Sequence, residues 1–271
     1  MQSLQVQDHL AKWHPIAQIP IALPLLVFWD YDAHQTKKIF SALEIQRQLG
    51  HPYYEPIWYM LHKIRHSMGK RDDNYLLGNE VELDEGFFEI VPSKERRDEI
   101  AIELENNDGK CKRGKGSQKQ ATVLVMAESI TVAPTKKYRH KPSRKVRYIK
   151  MKLLNDLSKK NTNGQVEQAI DTKASAITDG ANNYKDLANN LTEHKAVALK
   201  DKRETGKILP WVHIAISNAK RLLLDVHHSI GEEYLQSYLN EFCYKFNRKH
   251  FSSVFDRVVT NSISHKWETN M

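Results

Sequence analysis

The stretch at residues 81–88 reads VELDEGFF. Apolar and polar residues alternate along its first half, which is typical of a half-buried β-strand. It also carries three carboxylates: Glu82, Asp84 and Glu85. Two interpretations stay open, because an edge strand can turn its acids to water, whereas a rigid strand can also present a carboxylate to a hard divalent cation.

The composition favours a globular protein with a polyanionic partner. The 271 residues are 40% hydrophobic, which is enough for one large domain or two ordinary ones with a genuine core. A formal net charge of +8 and a pI near 9.2 favour a polyanionic partner such as nucleic acid, although an excess of this size also occurs in proteins that never contact DNA. The two cysteines, Cys111 and Cys243, lack the C-x-x-C spacing, which excludes a zinc ribbon or a disulfide framework and fits a reducing, intracellular setting.

The most apolar run extends from Ile19 to Trp29, about half of the roughly 20 residues that span a bilayer, and two prolines interrupt it. Neither a basic segment before it nor a small-residue cleavage site accompanies the run. We interpret it as a buried segment of a soluble domain, and we expect the protein in the cytoplasm.

Residues 41–65 have the pattern of a helix-turn-helix. Ser41 and Glu44 form a capping box, and Gly50 stands where the first helix ends. Off its apolar face, the second helix carries side chains suited to contacts with the DNA backbone and grooves: Trp58, His62, Lys63 and Arg65. An ordinary helical hairpin with a solvated basic face is the alternative. We predict a helical region over residues 1–75 that contains this DNA-binding element.

Two basic segments flank a predicted buried strand at residues 121–130. The first, residues 110–119, ends a polar insertion at about residues 91–120 that holds a short helix, and the second covers residues 136–147. Their cations are candidates for phosphate contacts, although one such segment alone is commonly a solvated loop. The candidates are Lys112, Arg113, Lys115, Lys136, Lys137 and Arg139.

Strands and helices alternate through the rest of the chain, which indicates an α/β domain that we place at residues 76–265. A short strand at residues 174–178 leads into Asp179-Gly180 and a predicted helix at residues 182–190. Residues 151–157 are predicted to begin another helix. Two later helices are predicted, one opened by Pro210 and one over residues 234–249.

Four residues form a candidate site: Asp84, Asp179, His213 and Lys220. Two carboxylates and an imidazole can hold one or two divalent ions. His213 and Lys220 are separated by about two helical turns, or some 10 Å, so both side chains project from one helix face. The cations Lys220 and Arg221 can contact the phosphate of a bound strand. Taken singly, an Asp-Gly pair is usually a turn and a lone histidine is usually structural.

Several stretches carry a resemblance to a known family: SALEIQRQLG, W-x-M-L-H-K-I-R from Trp58, VELDE, KRGKGS, ATVLVMAE, ITDGANNY, LPWVHIAISNAKR and YLQSYLNEFCYKFNR. Over roughly residues 40–260, the sequence resembles the bacterial insertion-sequence transposases with an ISXO-type catalytic domain, which are members of the DDE superfamily. The resemblance implies an α/β fold with a ribonuclease-H-like core, in which a mixed sheet is flanked by helices and preceded by the helix-turn-helix region.

The resemblance also implies the roles of the site residues. Asp84 and Asp179 correspond to the first two acids of the family, and His213 with Lys220 makes the chain similar to the Asp-Asp-His-Lys branch. Asn218 is the alternative third ligand. The implied cofactor is a divalent metal, Mg2+ or Mn2+, held by the two aspartates and the histidine.

The function implied by the resemblance is cleavage of the ends of an insertion sequence and strand transfer to target DNA. The implied partners are double-stranded terminal repeats and target DNA, on which the protein acts as a homo-oligomer in the bacterial nucleoid. Family members commonly begin with a cysteine-rich zinc ribbon, whereas residues 1–40 contain no cysteine. Two alternatives stay open: a catalytically silent DNA-binding remnant of a truncated transposase, and a nuclease of the same core without strand transfer.

Overall fold

The stretch VELDEGFF lies in β1 (Glu80–Glu89), the central strand of the sheet. The computed structural model describes residues 41–105, 117–133, 143–189, 191–197, 208–251 and 254–264. The other strands are β2 (Gln120–Thr131), β3 (Arg144–Leu154), β4 (Ser175–Thr178) and β5 (Glu193–Ala196). The helices are α1 (Ala42–Leu49), α2 (Glu55–Asp73), α3 (Lys94–Glu105), α4 (Lys159–Ala169), α5 (Pro210–Val226), α6 (Glu232–Asn247) and α7 (Val254–Ser264).

Within the described ranges, the sheet has five strands in the order β3-β2-β1-β4-β5. The first three strands along the chain pair in the antiparallel sense, whereas β4 is parallel to β1 and β5 is parallel to β4. Helices cover both faces of this mixed sheet. The predicted fold class, a ribonuclease-H-like α/β core, is confirmed.

The central strands bury alternate side chains against different helices. Val81 and Leu83 belong to a core cluster with α4, whereas Phe88 belongs to a cluster with α5 and α6. Because successive side chains of a strand point to opposite faces, Glu82 and Asp84 lie on the same face as Phe88 and are directed toward α5. β1 is therefore not a solvated edge strand, and that interpretation of its acids is wrong.

The predicted helical hairpin is present as α1 and α2. The Ser41 Oγ accepts a hydrogen bond from the Glu44 backbone N–H at 3.0 Å, which caps α1. Gly50 ends this helix with a φ of 61°, in the left-handed region that favours glycine, and its N–H bonds back to the last turn. Sequence patterns thus identified both termini of α1 correctly.

The hairpin is not an independent unit, because α2 packs against α6 and α7. Ile57, Leu61 and Ile64 are buried in one cluster with Tyr244 and Val258 from these late helices. On another side of α2, Arg65 forms an ion pair with Glu241 of α6 at 2.7 Å. A helix packed in this way buries side chains on more than one face.

This packing corrects two of the predicted DNA contacts. Arg65 is only 1% exposed, and its guanidinium lies 4.3 Å from the ring centroid of Tyr238. His62 is 2% exposed and packs against the rings of Trp58 and Tyr234. Neither side chain has surface to offer to DNA, so the prediction is wrong for both. The sequence pattern defined one apolar face of α2 and gave no sign that α6 covers a second.

Two element predictions were also wrong. The segment after Asp179 forms two short 3-10 helices, Asn182–Tyr184 and Leu187–Asn189, instead of one continuous helix. Residues 151–154, where a helix was predicted to begin, continue β3 because they pair with β2. The short helix in the polar insertion is confirmed as α3. Among the described residues, no helix is long and apolar enough to cross a bilayer, and the apolar run at residues 19–29 lies outside them.

The buried histidines predict a pH dependence of stability. Burial, with a further contribution from Arg65, lowers the pKa of His62 and of His227 to about 4. Both are neutral in the folded protein, whereas an unfolded histidine ionises near pH 6.5. The stability that these two histidines contribute to the folded protein is therefore complete above pH 6.5, and it is lost as pH falls toward 4.

The free energy of unfolding of the parent should fall between pH 7 and pH 5. We expect the double variant His62→Gln with His227→Gln to lose less of it over the same interval. The expected difference is roughly 1 kcal/mol per histidine after allowance for solvent screening. Urea unfolding of the parent and the double variant at both pH values measures it. Equal losses in the two proteins would show that these histidines do not titrate on unfolding.

Candidate active site

The two predicted catalytic aspartates occupy matching places on neighbouring parallel strands. In the ladder between β1 and β4, Val81 pairs with Ala176 and Glu82 pairs with Ile177. If this residue pairing is continued along both strands, Asp84 is matched by Asp179, which follows directly after the end of β4. Neighbouring strands are about 4.8 Å apart, so this register places Asp179, just beyond the end of β4, beside Asp84 in the middle of β1.

Local backbone geometry holds each carboxylate. The Asp179 Oδ1 accepts a hydrogen bond from the Ala181 N–H at 3.0 Å, and Gly180 between them has a φ of 79°. The Asp-Gly pair thus forms a tight turn that needs the left-handed conformation of glycine. The Asp84 Oδ1 accepts from the Glu85 N–H at 2.8 Å, which leaves its Oδ2 directed elsewhere.

His213 in the first turn of α5 faces Asp84. Its Nε2 lies 3.5 Å from the Asp84 Oδ2, while the two side chains are 36% and 13% exposed. Burial lowers the pKa of His213 below its ordinary value, so the imidazole is neutral at neutral pH. A neutral imidazole is the form that binds metal.

Glu82 fixes α5 to the central strand. Its Oε2 accepts hydrogen bonds from the backbone N–H groups of Trp211 at 2.8 Å and Val212 at 3.1 Å. These donors belong to the first turn of the helix, where a negative charge is favoured. Burial raises the pKa of Glu82 to about 7, although both hydrogen bonds act in the opposite direction. Sequence reasoning missed this role, and the signal available was the alternation that puts Glu82 on the same strand face as Asp84.

We expect Glu82→Leu to lower the free energy of unfolding by roughly 1–3 kcal/mol, because it leaves two buried N–H groups without their acceptor. Glu82→Gln is the matched control, since its amide oxygen can still accept from the helix. Urea unfolding of the two variants measures the difference. Equal stability of both variants would show that the carboxyl oxygen does not anchor α5.

A third acid and a buried phenol complete the surroundings of the site. The Asn183 Nδ2 donates a hydrogen bond to the Glu85 Oε1 at 2.6 Å. Tyr184 is fully buried beside it, and burial raises its pKa well above the ordinary value, with further contributions from the charges of Glu85, Asp84 and Asp179. Each of these three carboxylates thus lies near enough to the phenol to raise its pKa.

Some, but not all, of the side-chain donor atoms are placed as a divalent cation requires. The His213 Nε2 is buried and makes no hydrogen bond within the described residues, yet it faces a carboxylate oxygen. Two ligand atoms bonded at about 2.1 Å to one ion are roughly 3.0–3.5 Å apart. The separation of 3.5 Å between His213 and Asp84 agrees with that value. Among the described residues, however, no group of three or more His, Cys, Asp or Glu side chains stands close enough to hold a metal ion.

Lys220 lies two turns beyond His213 on α5, and its Nζ is 5.6 Å from the ring centroid of Phe88. Its neighbour Arg221 is exposed and donates a hydrogen bond to the Asn218 Oδ1 at 3.2 Å. On α2, Trp58 and Lys63 are partly exposed. The remaining predicted DNA contacts lie outside the described residues: Lys112, Arg113, Lys115, Lys136, Lys137 and Arg139.

The mixed five-stranded sheet with helices on both faces defines a protein of the ribonuclease-H-like class. Comparison with protein families narrows this class, because residues 76–247 match the family described as the ISXO2-like transposase domain. The match covers more than half of the chain, and the chain belongs to this family. Comparison with curated proteins and with solved structures finds no match.

Proposed function

We propose that this transposase-family protein cleaves the ends of an insertion sequence and joins the freed 3′ hydroxyl to target DNA. The observation that carries the proposal is the approach of His213 to Asp84, next to the strand end that presents Asp179. The family membership supports the same activity, since it identifies the chain as a transposase.

We assign Asp84, Asp179 and His213 as ligands of a divalent cation. When bound, such a cation lowers the pKa of a water molecule and stabilises the leaving oxygen of an in-line displacement. The protein groups orient the site: Glu82 holds the first turn of α5, and the turn at Gly180 directs Asp179. An imidazole in place of a carboxylate supplies nitrogen and removes one negative charge, which favours Mn2+ over Mg2+.

Lysines and arginines supply the DNA contacts in this proposal. Lys220 and Arg221 on α5 are the described candidates, together with Lys63 on α2. The two basic segments at residues 110–119 and 136–147 are proposed to follow the phosphates of the approaching duplex. The net charge of +8 supports a polyanionic partner.

We expect three variants of α5 to separate metal binding from DNA positioning. His213→Ala should weaken Mn2+ binding at least roughly tenfold, because a ligand is lost. His213→Glu should restore binding and move the preference toward Mg2+, which prefers oxygen ligands. Lys220→Ala should leave metal affinity unchanged and weaken DNA binding, since an ammonium contacts phosphate and does not bind metal.

Calorimetric titration with Mn2+ and Mg2+, and DNA binding at one fixed salt concentration, measure these effects. If His213→Ala binds Mn2+ as the parent does, the third ligand lies elsewhere and Asn218 is the next candidate.

The proposed activity is tested by incubating the protein with duplex DNA that carries the sequence flanking its gene. Metal-dependent nicking at a defined position supports the proposal. Binding without nicking in Mg2+ and in Mn2+ would instead assign the chain as a DNA-binding remnant.

A further inference from the structure

A cavity of about 790 Å³ lies at the opposite end of β1 from its phenylalanines. Its walls come from the ends of α2 and α6, from the start of β3 and from α7. None of the four candidate catalytic residues lines it. Asn79 lines the cavity and directly precedes β1. The strand then runs about 13 Å from Glu80 to Asp84. The cavity is thus a separate site near the candidate active site, and its volume is in the range that holds a small molecule.

The cavity has an excess of positive charge. Its walls include two acids, Glu128 and Asp256. They also include four arginines: Arg71, Arg147, Arg248 and Arg257. Arg248 pairs with Asp72 at 2.6 Å, and Arg147 lies 3.7 Å from Glu128. No carboxylate pairs with Arg71 or Arg257 among the described residues. Two guanidinium groups therefore remain to bind an anion from the cavity.

Aromatic rings lie beside the guanidinium groups of Arg257, Arg147 and Arg248. The Arg257 guanidinium is 4.7 Å from the ring centroid of Phe251, and that ring is 37% exposed. Tyr148 and Tyr75 form a second aromatic pair in the wall, with ring centroids 5.5 Å apart. Guanidinium groups next to exposed rings are the combination that binds the phosphate and the base of an unpaired nucleotide.

Hydrogen bonds fix the walls. Asn247 donates to the Tyr75 hydroxyl at 2.6 Å and pairs with both backbone groups of Ile149. Asn79 has a φ of 53°, unusual for a residue other than glycine, and its Nδ2 donates to the Glu128 Oε1 at 2.6 Å. A cavity with fixed walls loses little conformational entropy on binding, which favours a specific ligand.

We propose that this cavity binds an unpaired nucleotide, with its base stacked on Phe251 and its phosphate held by Arg71 and Arg257. The same chemistry is offered by a nucleotide within a single strand of DNA and by a free nucleotide. The inference does not depend on metal binding or on cleavage, so it can be tested without either.

The test measures fluorescence anisotropy of a labelled oligodeoxycytidylate of about ten nucleotides with the full chain, in EDTA and at one salt concentration. Phe251→Ala combined with Arg257→Gln should weaken single-strand binding roughly tenfold or more, because stacking and a phosphate contact are both lost. Arg97→Gln is the matched control, since it removes an exposed arginine from α3, and it should leave the affinity within about twofold of the parent.

Competition with deoxycytidine monophosphate distinguishes the two sources of the nucleotide. If millimolar monophosphate displaces the oligonucleotide, the site also accepts a free nucleotide. If the oligonucleotide stays bound, the site requires a nucleotide that is part of a DNA strand. The proposal is overturned if the double variant, shown to be folded by its thermal melting, binds the oligonucleotide as tightly as the Arg97→Gln control. It is also overturned if the variant loses duplex binding to the same extent, because the cations would then be general phosphate contacts.

Discussion

Asp84→Asn is expected to reduce metal-dependent DNA cleavage by roughly a thousandfold or more, equivalent to about 4 kcal/mol of transition-state stabilisation. The reason is chemical, because an amide has the shape of the carboxylate but lacks its charge and binds a divalent cation poorly. The fold should persist, since Asn can still accept the hydrogen bond from the Glu85 N–H. Asp179→Asn should have a similar effect, because this residue stands at the matching place on the parallel strand.

The matched control is Glu89→Gln, which removes a carboxylate from the exposed end of the same strand. Its cleavage rate should remain within about twofold of the parent, since a surface charge change has a small effect. Thermal melting of all three variants verifies that they are folded. Undiminished cleavage by Asp84→Asn would exclude this carboxylate as a metal ligand.

Arg65→Ala is expected to lower the free energy of unfolding by about 3–5 kcal/mol, because it leaves a buried carboxylate without one of its partners. Glu241 is fully buried between the Arg65 Nε at 2.7 Å and the Lys245 Nζ at 2.9 Å. Burial alone would raise its pKa, but these two cations outweigh burial and hold the pKa of Glu241 below the ordinary value. The ion pair thus connects α2 to α6 within the core.

Lys63→Ala is the control on the same helix, because its side chain is partly exposed. It should change stability by no more than about 0.5 kcal/mol, while it reduces DNA affinity if Lys63 is a phosphate contact. Chemical denaturation and DNA binding of both variants give the comparison. An Arg65→Ala protein that is as stable as the parent but binds DNA weakly would restore Arg65 as a DNA contact.

The α/β fold, the strand that carries Asp84 and the short strand before Asp179 could be predicted from sequence, because they depend on local patterns. Alternating residues identified β1, and the Asp-Gly pair after a short strand marked the turn at Asp179. The capping pattern at Ser41 and Gly50 located the ends of α1 for the same reason. Such signals reside within a few consecutive residues and survive in a single sequence.

The parts that sequence could not reveal depend on contacts between distant segments. The pair of Arg65 with Glu241 joins residues 176 positions apart, so a basic residue that looks exposed on α2 is in fact buried. The anchoring of α5 by Glu82 spans 129 positions to Trp211. The 3-10 helices after Asp179 place Tyr184 and Leu187 in a core cluster with residues of distant elements, and a local pattern does not reveal such contacts.

The proposed function requires this site to join DNA strands as well as to cut them. It is tested most directly by incubating the protein with Mn2+, a plasmid target and a labelled duplex that carries the element end with a free 3′ hydroxyl. We expect labelled plasmid in which that 3′ end is covalently joined to target DNA, and no such product with Asp84→Asn. Nicked labelled duplex without any joined product would contradict strand transfer and assign the protein as a nuclease.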